Sequence, residues 1–152
     1  MRFMMLSILA ATLAAIPAPA AADARSAFDQ VIADAQRVRE EAQDVKQLLR
    51  SRDAGQAVVL QRVSVLETHA LALKASISQL DAGEAGLTST QLAAVERARA
   101  ASETLLILLQ NKTALLADAG KLERQRGLLR AKAEGIVARA RLVEQQMARA
   151  RG

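Results

Sequence analysis

Apolar residues recur at alternating intervals of three and four along most of this chain, and this spacing constrains the fold more than any other feature. One series runs from Phe28 to Leu80 and another from Ala94 to Met147, each interrupted by only two polar residues. We call them the first and second seams. Heptads sustained over this length are typical of helices that bury one stripe of side chains against another helix. Both prolines precede residue 20, so no later residue forces a helix to end.

The segment 83–88 separates two helices that the seams predict over about 24–82 and 89–150. Gly83 is placed to end the first helix, because glycine readily adopts the left-handed conformation found just after many helices. A loop this short joins antiparallel neighbours. The sequence therefore predicts an all-α protein whose single domain, residues 23–152, is a long antiparallel two-helix coiled-coil hairpin.

A bare hairpin would leave many apolar residues in water. The stretch from Leu105 to Leu109 is apolar on every side of its helix, and such helices are normally buried on more than one side. Two arrangements would bury it. Either two chains pair as a homodimer, or both helices bend near Gly55 and Gly120 and fold back into a four-helix bundle. A glycine inside a helix costs about 1 kcal/mol relative to alanine, and these two fall at almost the same level of the hairpin, so both are candidate hinges.

Four apolar residues of the second helix fall beside its seam and form a candidate interaction surface. They are Leu106, Ile107, Leu109 and Leu116. Exposed apolar patches of this kind usually mark partner sites. We expect a protein partner there, either a second copy of the chain or an unfolded client.

The N-terminus has the pattern of a secretory signal peptide. Arg2 precedes an apolar run over residues 3–16, and small residues then lead to a favoured cleavage site between Ala22 and Asp23. The run is shorter than the roughly 20 residues that a transmembrane helix needs. We expect residues 1–22 to be removed, leaving a periplasmic or secreted chain without a transmembrane segment.

The stretch Leu87-Thr-Ser-Thr-Gln91 marks the start of the second helix. Thr88 as N-cap and Gln91 three residues later form a capping box, with Leu87 placed as the apolar residue before the cap. The same residues match the LTxxQ motif, and in size, export signal, helical character and basic charge the chain resembles the Spy and CpxP stress-response family. That resemblance implies a dimeric, curved helical sheet and chaperone activity towards unfolded periplasmic proteins.

Positive charge is concentrated near the C-terminus. Residues 121–152 carry nine basic and three acidic side chains, a net charge of +6. This predicted basic arm could bind anionic lipid, polysaccharide or acidic proteins. Nucleic acid is not expected, since the chain is exported and the arm has no aromatic residue for base stacking. The arm comprises Arg124, Arg126, Arg130, Lys132, Arg139 and Arg141.

No arrangement of residues indicates catalysis, a metal site or a cofactor. His69 is the single histidine, cysteine is absent, and no serine has a histidine and carboxylate at a suggestive spacing. The sequence therefore predicts a non-enzymatic, exported helical interaction protein that serves as a scaffold, adaptor or chaperone. The alternatives are an envelope-surface binder that uses the basic arm, and a structural coiled coil.

Overall fold

The computed structural model describes residues 20–83, 86–110 and 119–152, which form α-helices and contain no strand. The all-α prediction is confirmed. Most of the predicted signal peptide, residues 1–19, lies outside the described residues. The helices are α1 (Ala20–Leu48), α2 (Gln56–Ala82), α3 (Ser89–Leu109) and α4 (Ala119–Arg151).

The helix predicted over 24–82 is two helices in the structure. Residues 49–55 form a turn between α1 and α2, in a stretch where Ser51, Asp53 and Gly55 all favour turns over helix interiors. The first seam is polar here, at Arg52 and Gln56, so a continuous helix would bury little apolar area at this level. The helix predicted over 89–150 is likewise divided into α3 and α4.

The loop between the two predicted helices is confirmed in position. The α2 helix ends at Ala82, and α3 begins at Ser89. Gly83 caps α2, its amide donating to the Leu80 carbonyl at 3.3 Å. Its φ of −89° is open to any residue, so Gly83 does not adopt the left-handed conformation expected of it.

Each helix packs against two others: α1 and α3 both lie between α2 and α4. The pairs α1–α4 and α2–α3 are those of the predicted hairpin, and the pairs α1–α2 and α3–α4 are additional. Ion pairs show the direction of packing. Lys46 and Arg39 of α1 reach Glu134 and Glu144 of α4 in reverse order, so these helices are antiparallel.

The core consists mainly of the two seams, together with Val95 and Leu109 of α3. Phe28, Leu66, Leu105 and Met147 are among its fully buried side chains, and almost every other apolar seam residue of the described helices is buried. Burial of apolar surface stabilises the fold by about 25 cal/mol for each Å² removed from water. The seams therefore hold four helices together with the same residues that would have joined two.

Gly55 is the N-cap of α2, and we predict that Gly55→Ser stabilises the protein. Its φ of −70° and ψ of 162° suit any residue, it makes no side-chain capping bond, and an added Cβ would meet nothing within 4 Å. A serine hydroxyl can accept from the first free amides of α2 and also restricts the unfolded chain. We expect a gain of about 0.5–1 kcal/mol in the free energy of unfolding, measured in urea.

Gly55→Ala is the matched control, because alanine restricts the unfolded chain but cannot cap. It should gain less than Gly55→Ser. An alanine variant as stable as the serine variant would contradict the capping argument, and an elongated particle would show that the turn depends on glycine.

Candidate functional site

The four residues predicted as an interaction surface do not form one exposed patch. Leu109 belongs to the core, and Leu106 packs partly buried against it. Ile107 is 60% exposed on the outer side of α3, and Leu116 lies outside the described residues. The reason is that α4 packs against α3, a contact that the predicted two-helix hairpin lacks.

The α1–α2 turn is held by Arg126, a polar residue of the second seam. Its guanidinium donates to the carbonyl oxygens of Ser51 and Ala54, both at 3.1 Å. Glu123, one turn earlier on α4, accepts from the same group at 2.7 Å. The planar guanidinium offers five N–H donors, enough to serve all three partners. Arg126 therefore interrupts the apolar seam in order to bind the turn.

Neither candidate hinge adopts a backbone conformation that requires glycine. Gly55 lies at the end of the turn in an ordinary extended conformation, and Gly120 is the second residue of α4. The second division falls between Leu109 and Ala119, where residues 111–118 lie outside the described part of the chain. The bend near Gly55 follows from the turn residues and their bonds to Arg126.

The capping box is confirmed, and Gln91 has a second role. The Gln91 amide donates to the Thr88 hydroxyl at 3.2 Å, and the Thr88 amide donates to the Gln91 side-chain oxygen at 2.9 Å. The Gln91 side-chain amide also donates to the Ala150 carbonyl at 3.0 Å. Leu87 packs against the core. The LTSTQ stretch thus starts α3 and fastens it to the end of α4.

All three acidic residues of α4 are already paired. Glu123 pairs with Arg126 on the same helix, whereas Glu134 and Glu144 pair with cations of α1. Hydrogen bonds from Arg126 and Lys46 lower the pKa of the Glu123 and Glu134 carboxyls below the ordinary value of 4.5. Both carboxylates are therefore fully ionised at neutral pH and committed to neighbours within the fold.

Arg151, at the end of α4, pairs with Asp29 of α1. The arginines of α4 other than Arg126 and Arg151 form an unbalanced cationic surface. They are exposed, and none forms an ion pair with another residue that the structure describes. Arg130 lies close enough to Glu134 to help lower the pKa of its carboxyl. We call this surface the α4 outer face. Its arginines are Arg124, Arg130, Arg139, Arg141 and Arg149.

The predicted basic arm is thus a packed helix rather than a free segment. Four of its six residues lie on the α4 outer face. Arg126 instead binds the turn, and Lys132 is half-buried beside Leu108 and Leu129 at a small apolar cavity. Because α4 packs against both α1 and α3, its cations are held at fixed positions around the exposed part of the helix, with Arg139 and Arg141 roughly 160° apart about its axis.

Sequence reasoning missed two leucines on the same surface. Leu128 and Leu142 are 48% and 36% exposed, and they lie two residues after Arg126 and Ala140 of the second seam. The same offset places Arg124 and Arg149 on their side of α4. A second 3-4 series, offset by two from the seam, was the signal that could have identified them.

Other kinds of site are not evident in the described part of the chain. No cluster of histidine or carboxylate side chains there could hold a metal ion, and His69 is half-buried on α2. None of the helices described is both long and apolar enough to cross a bilayer. Comparison with protein-family models, curated proteins and solved structures gives no match to this chain.

Arg126→Met should destabilise the protein by about 1–2 kcal/mol, since methionine keeps the apolar stem but leaves the Ser51 and Ala54 carbonyls without their donor. Urea unfolding measures the change. Arg124→Met is the control, an exposed arginine two residues away whose replacement should alter stability by less than about 0.5 kcal/mol. Equal effects from the two substitutions would show that the turn does not need the guanidinium.

Proposed function

We propose that this chain is an exported, non-enzymatic helical interaction protein that binds an anionic surface of the cell envelope through the α4 outer face. The observation that carries the proposal is the charge imbalance on α4. Its three acids are paired with Arg126, Lys46 and Arg39, and five exposed arginines remain without an ion pair among the described residues. Such a surface attracts polyanions and releases their counterions on contact.

The proposed arrangement is a four-helix bundle made by one chain. The ring of helix contacts supports it, because each helix already packs against two others. The burial of Leu109 supports it as well, since this residue is covered without a second chain. In this arrangement α4 presents one side to the core and the opposite side to a partner.

Export is the part of the proposal that rests on the first 22 residues. We expect signal peptidase to cut between Ala22 and Asp23, close to the start of α1. When the full chain is expressed in a bacterium, mass spectrometry of the periplasmic fraction should find Asp23 at the N-terminus. Intact Met1 in the soluble cytoplasmic fraction would contradict export.

A chaperone-like role is the second candidate. The LTSTQ resemblance suggests it, and the half-exposed apolar side chains Val58, Leu71 and Ile107 supply surface that an unfolded client could contact. The motif residues themselves are occupied by the α3 cap and by the bond from Gln91 to Ala150. Suppression of aggregation of a denatured model protein, insensitive to salt, would favour this role.

The binding surface is tested with Arg139→Gln combined with Arg141→Gln in the mature chain. Binding to immobilised polyphosphate should weaken about 25-fold, because each arginine near an anionic surface contributes about 1 kcal/mol. Binding should also fall steeply with added salt. Circular dichroism should show unchanged helicity, since both side chains are exposed.

The matched control is Arg25→Gln combined with Arg52→Gln. It removes the same charge from exposed positions outside α4. If the control pair weakens binding as much as the α4 pair, net charge alone governs binding and the proposed surface is wrong.

A further inference from the structure

We infer that the partner of the α4 outer face is an anionic phospholipid membrane, against which α4 lies flat with its arginines on lipid phosphates and Leu128 and Leu142 within the headgroup layer. This inference rests on the proposed function. It goes further by naming the partner and by giving the two leucines a part in binding.

Residues along the outer side of α4 follow a regular order. The series offset by two from the seam lies on the exposed side of α4 except at Gly135, which is half-buried against Leu108 of α3. Its arginines are the first and last residues, its leucines lie between them, and the residues at its centre are small. The series is Arg124, Leu128, Ala131, Gly135, Ala138, Leu142, Gln145 and Arg149.

The two leucines of this series are partly exposed to water. Leu128 and Leu142 leave 48% and 36% of their surface in water although the core lies directly beneath the helix. They are separated by fourteen residues, or roughly 21 Å at 1.5 Å per residue. Two leucines on a straight helix can enter a flat layer together. A helix with a cationic border and an apolar strip is typical of proteins that lie in the plane of a membrane interface.

Most of the exposed cations of α4 are arginines. Six of the seven are arginines and one is a lysine, and the planar fork of arginine donates two parallel hydrogen bonds to one phosphate. Arg124 and Arg149 lie roughly 38 Å apart along the helix, so the surface spans several lipid headgroups. Lysine would supply the charge without this geometry.

Charge disfavours a second copy of the chain as the occupant. Two α4 helices packed through their outer faces would bring arginines against arginines in either direction, because Arg124 and Arg149 stand at opposite ends and Arg139 and Arg141 lie between them. No acid of α4 is free to compensate, since each is paired within the fold. Like charges at short range oppose such contact.

The experiment measures flotation of the mature protein with vesicles of phosphatidylglycerol and phosphatidylethanolamine, against vesicles of phosphatidylcholine alone. We expect binding to the anionic vesicles only. Leu128→Ser combined with Leu142→Ser should weaken it roughly tenfold, because full burial of one leucine contributes about a factor of ten or more and about half of each side chain is available. The same variant should bind polyphosphate as tightly as the wild type.

The matched control is Leu60→Ser combined with Leu71→Ser. These α2 leucines are 37% and 53% exposed, close to the values of the α4 pair, so their loss should leave flotation unchanged. If both leucine pairs leave vesicle binding unchanged while the arginine pair weakens it, the surface binds anions without entering a membrane. The inference then fails and the proposed function stands. If the arginine pair has no effect, both fail.

Insertion of residue 128 into the membrane can be measured by the fluorescence of a Leu128→Trp variant, because the chain has no tryptophan of its own. Its emission should shift to shorter wavelength with the anionic vesicles, whereas Leu71→Trp on α2 should not shift. An unshifted Leu128→Trp emission under conditions of full binding would overturn the inference. A loss of dimer mass in the Leu128→Ser, Leu142→Ser variant, without loss of vesicle binding, would identify a second copy as the occupant and overturn it too.

Discussion

The hydrogen bonds from Arg126 to the carbonyls of Ser51 and Ala54 join the turn between α1 and α2 to the first turns of α4. A turn that follows a 29-residue helix leaves carbonyl groups without partners within the helix. Arg126 supplies donors for two carbonyls of this turn at a place where the apolar seam would otherwise put a leucine or alanine. This contact holds the turn that follows the first helix, and α2 packs back on α1 from that turn.

Because α2 packs back along α1, the inner and outer sides of α3 and α4 differ in burial. The inner sides share the core of four helices, which accommodates Leu109 and much of Leu106. The outer side of α4 keeps its arginines and two half-exposed leucines. The apolar residues that predicted a dimer or client surface are therefore largely buried within one chain. The exposed arginines and leucines lie instead on the outer side of α4.

Pairing of the acids completes this separation of charge. Glu134 and Glu144 turn towards Lys46 and Arg39 on α1, and Glu123 turns towards Arg126. Exposed ion pairs of this kind add little to stability. Their larger consequence is electrostatic, because they engage every carboxylate of α4 and leave five exposed arginines of that helix without an ion pair among the described residues. The proposed binding surface is thus a product of the same contacts that align α1 with α4.

The sequence by itself determined the helical class, the residues of the core and the start of α3. These are local or periodic properties: a 3-4 spacing places Leu66 and Leu105 on one side of a helix whatever that helix meets, and the Thr88–Gln91 box needs only four consecutive residues. The loop near Gly83 followed from the same pattern, and so did the concentration of positive charge in the last helix.

Tertiary structure alone decided between one long helix and two short ones. The first seam keeps the same phase on both sides of Gly55, so its period fits a straight helix and a folded one equally well. The choice depends on Arg126, which lies 72 residues from Ala54 in the chain. For the same reason the sequence could not separate the arginine that binds a turn from those left exposed. Ion pairing depends on which helix lies opposite, and no spacing within α4 contains that information.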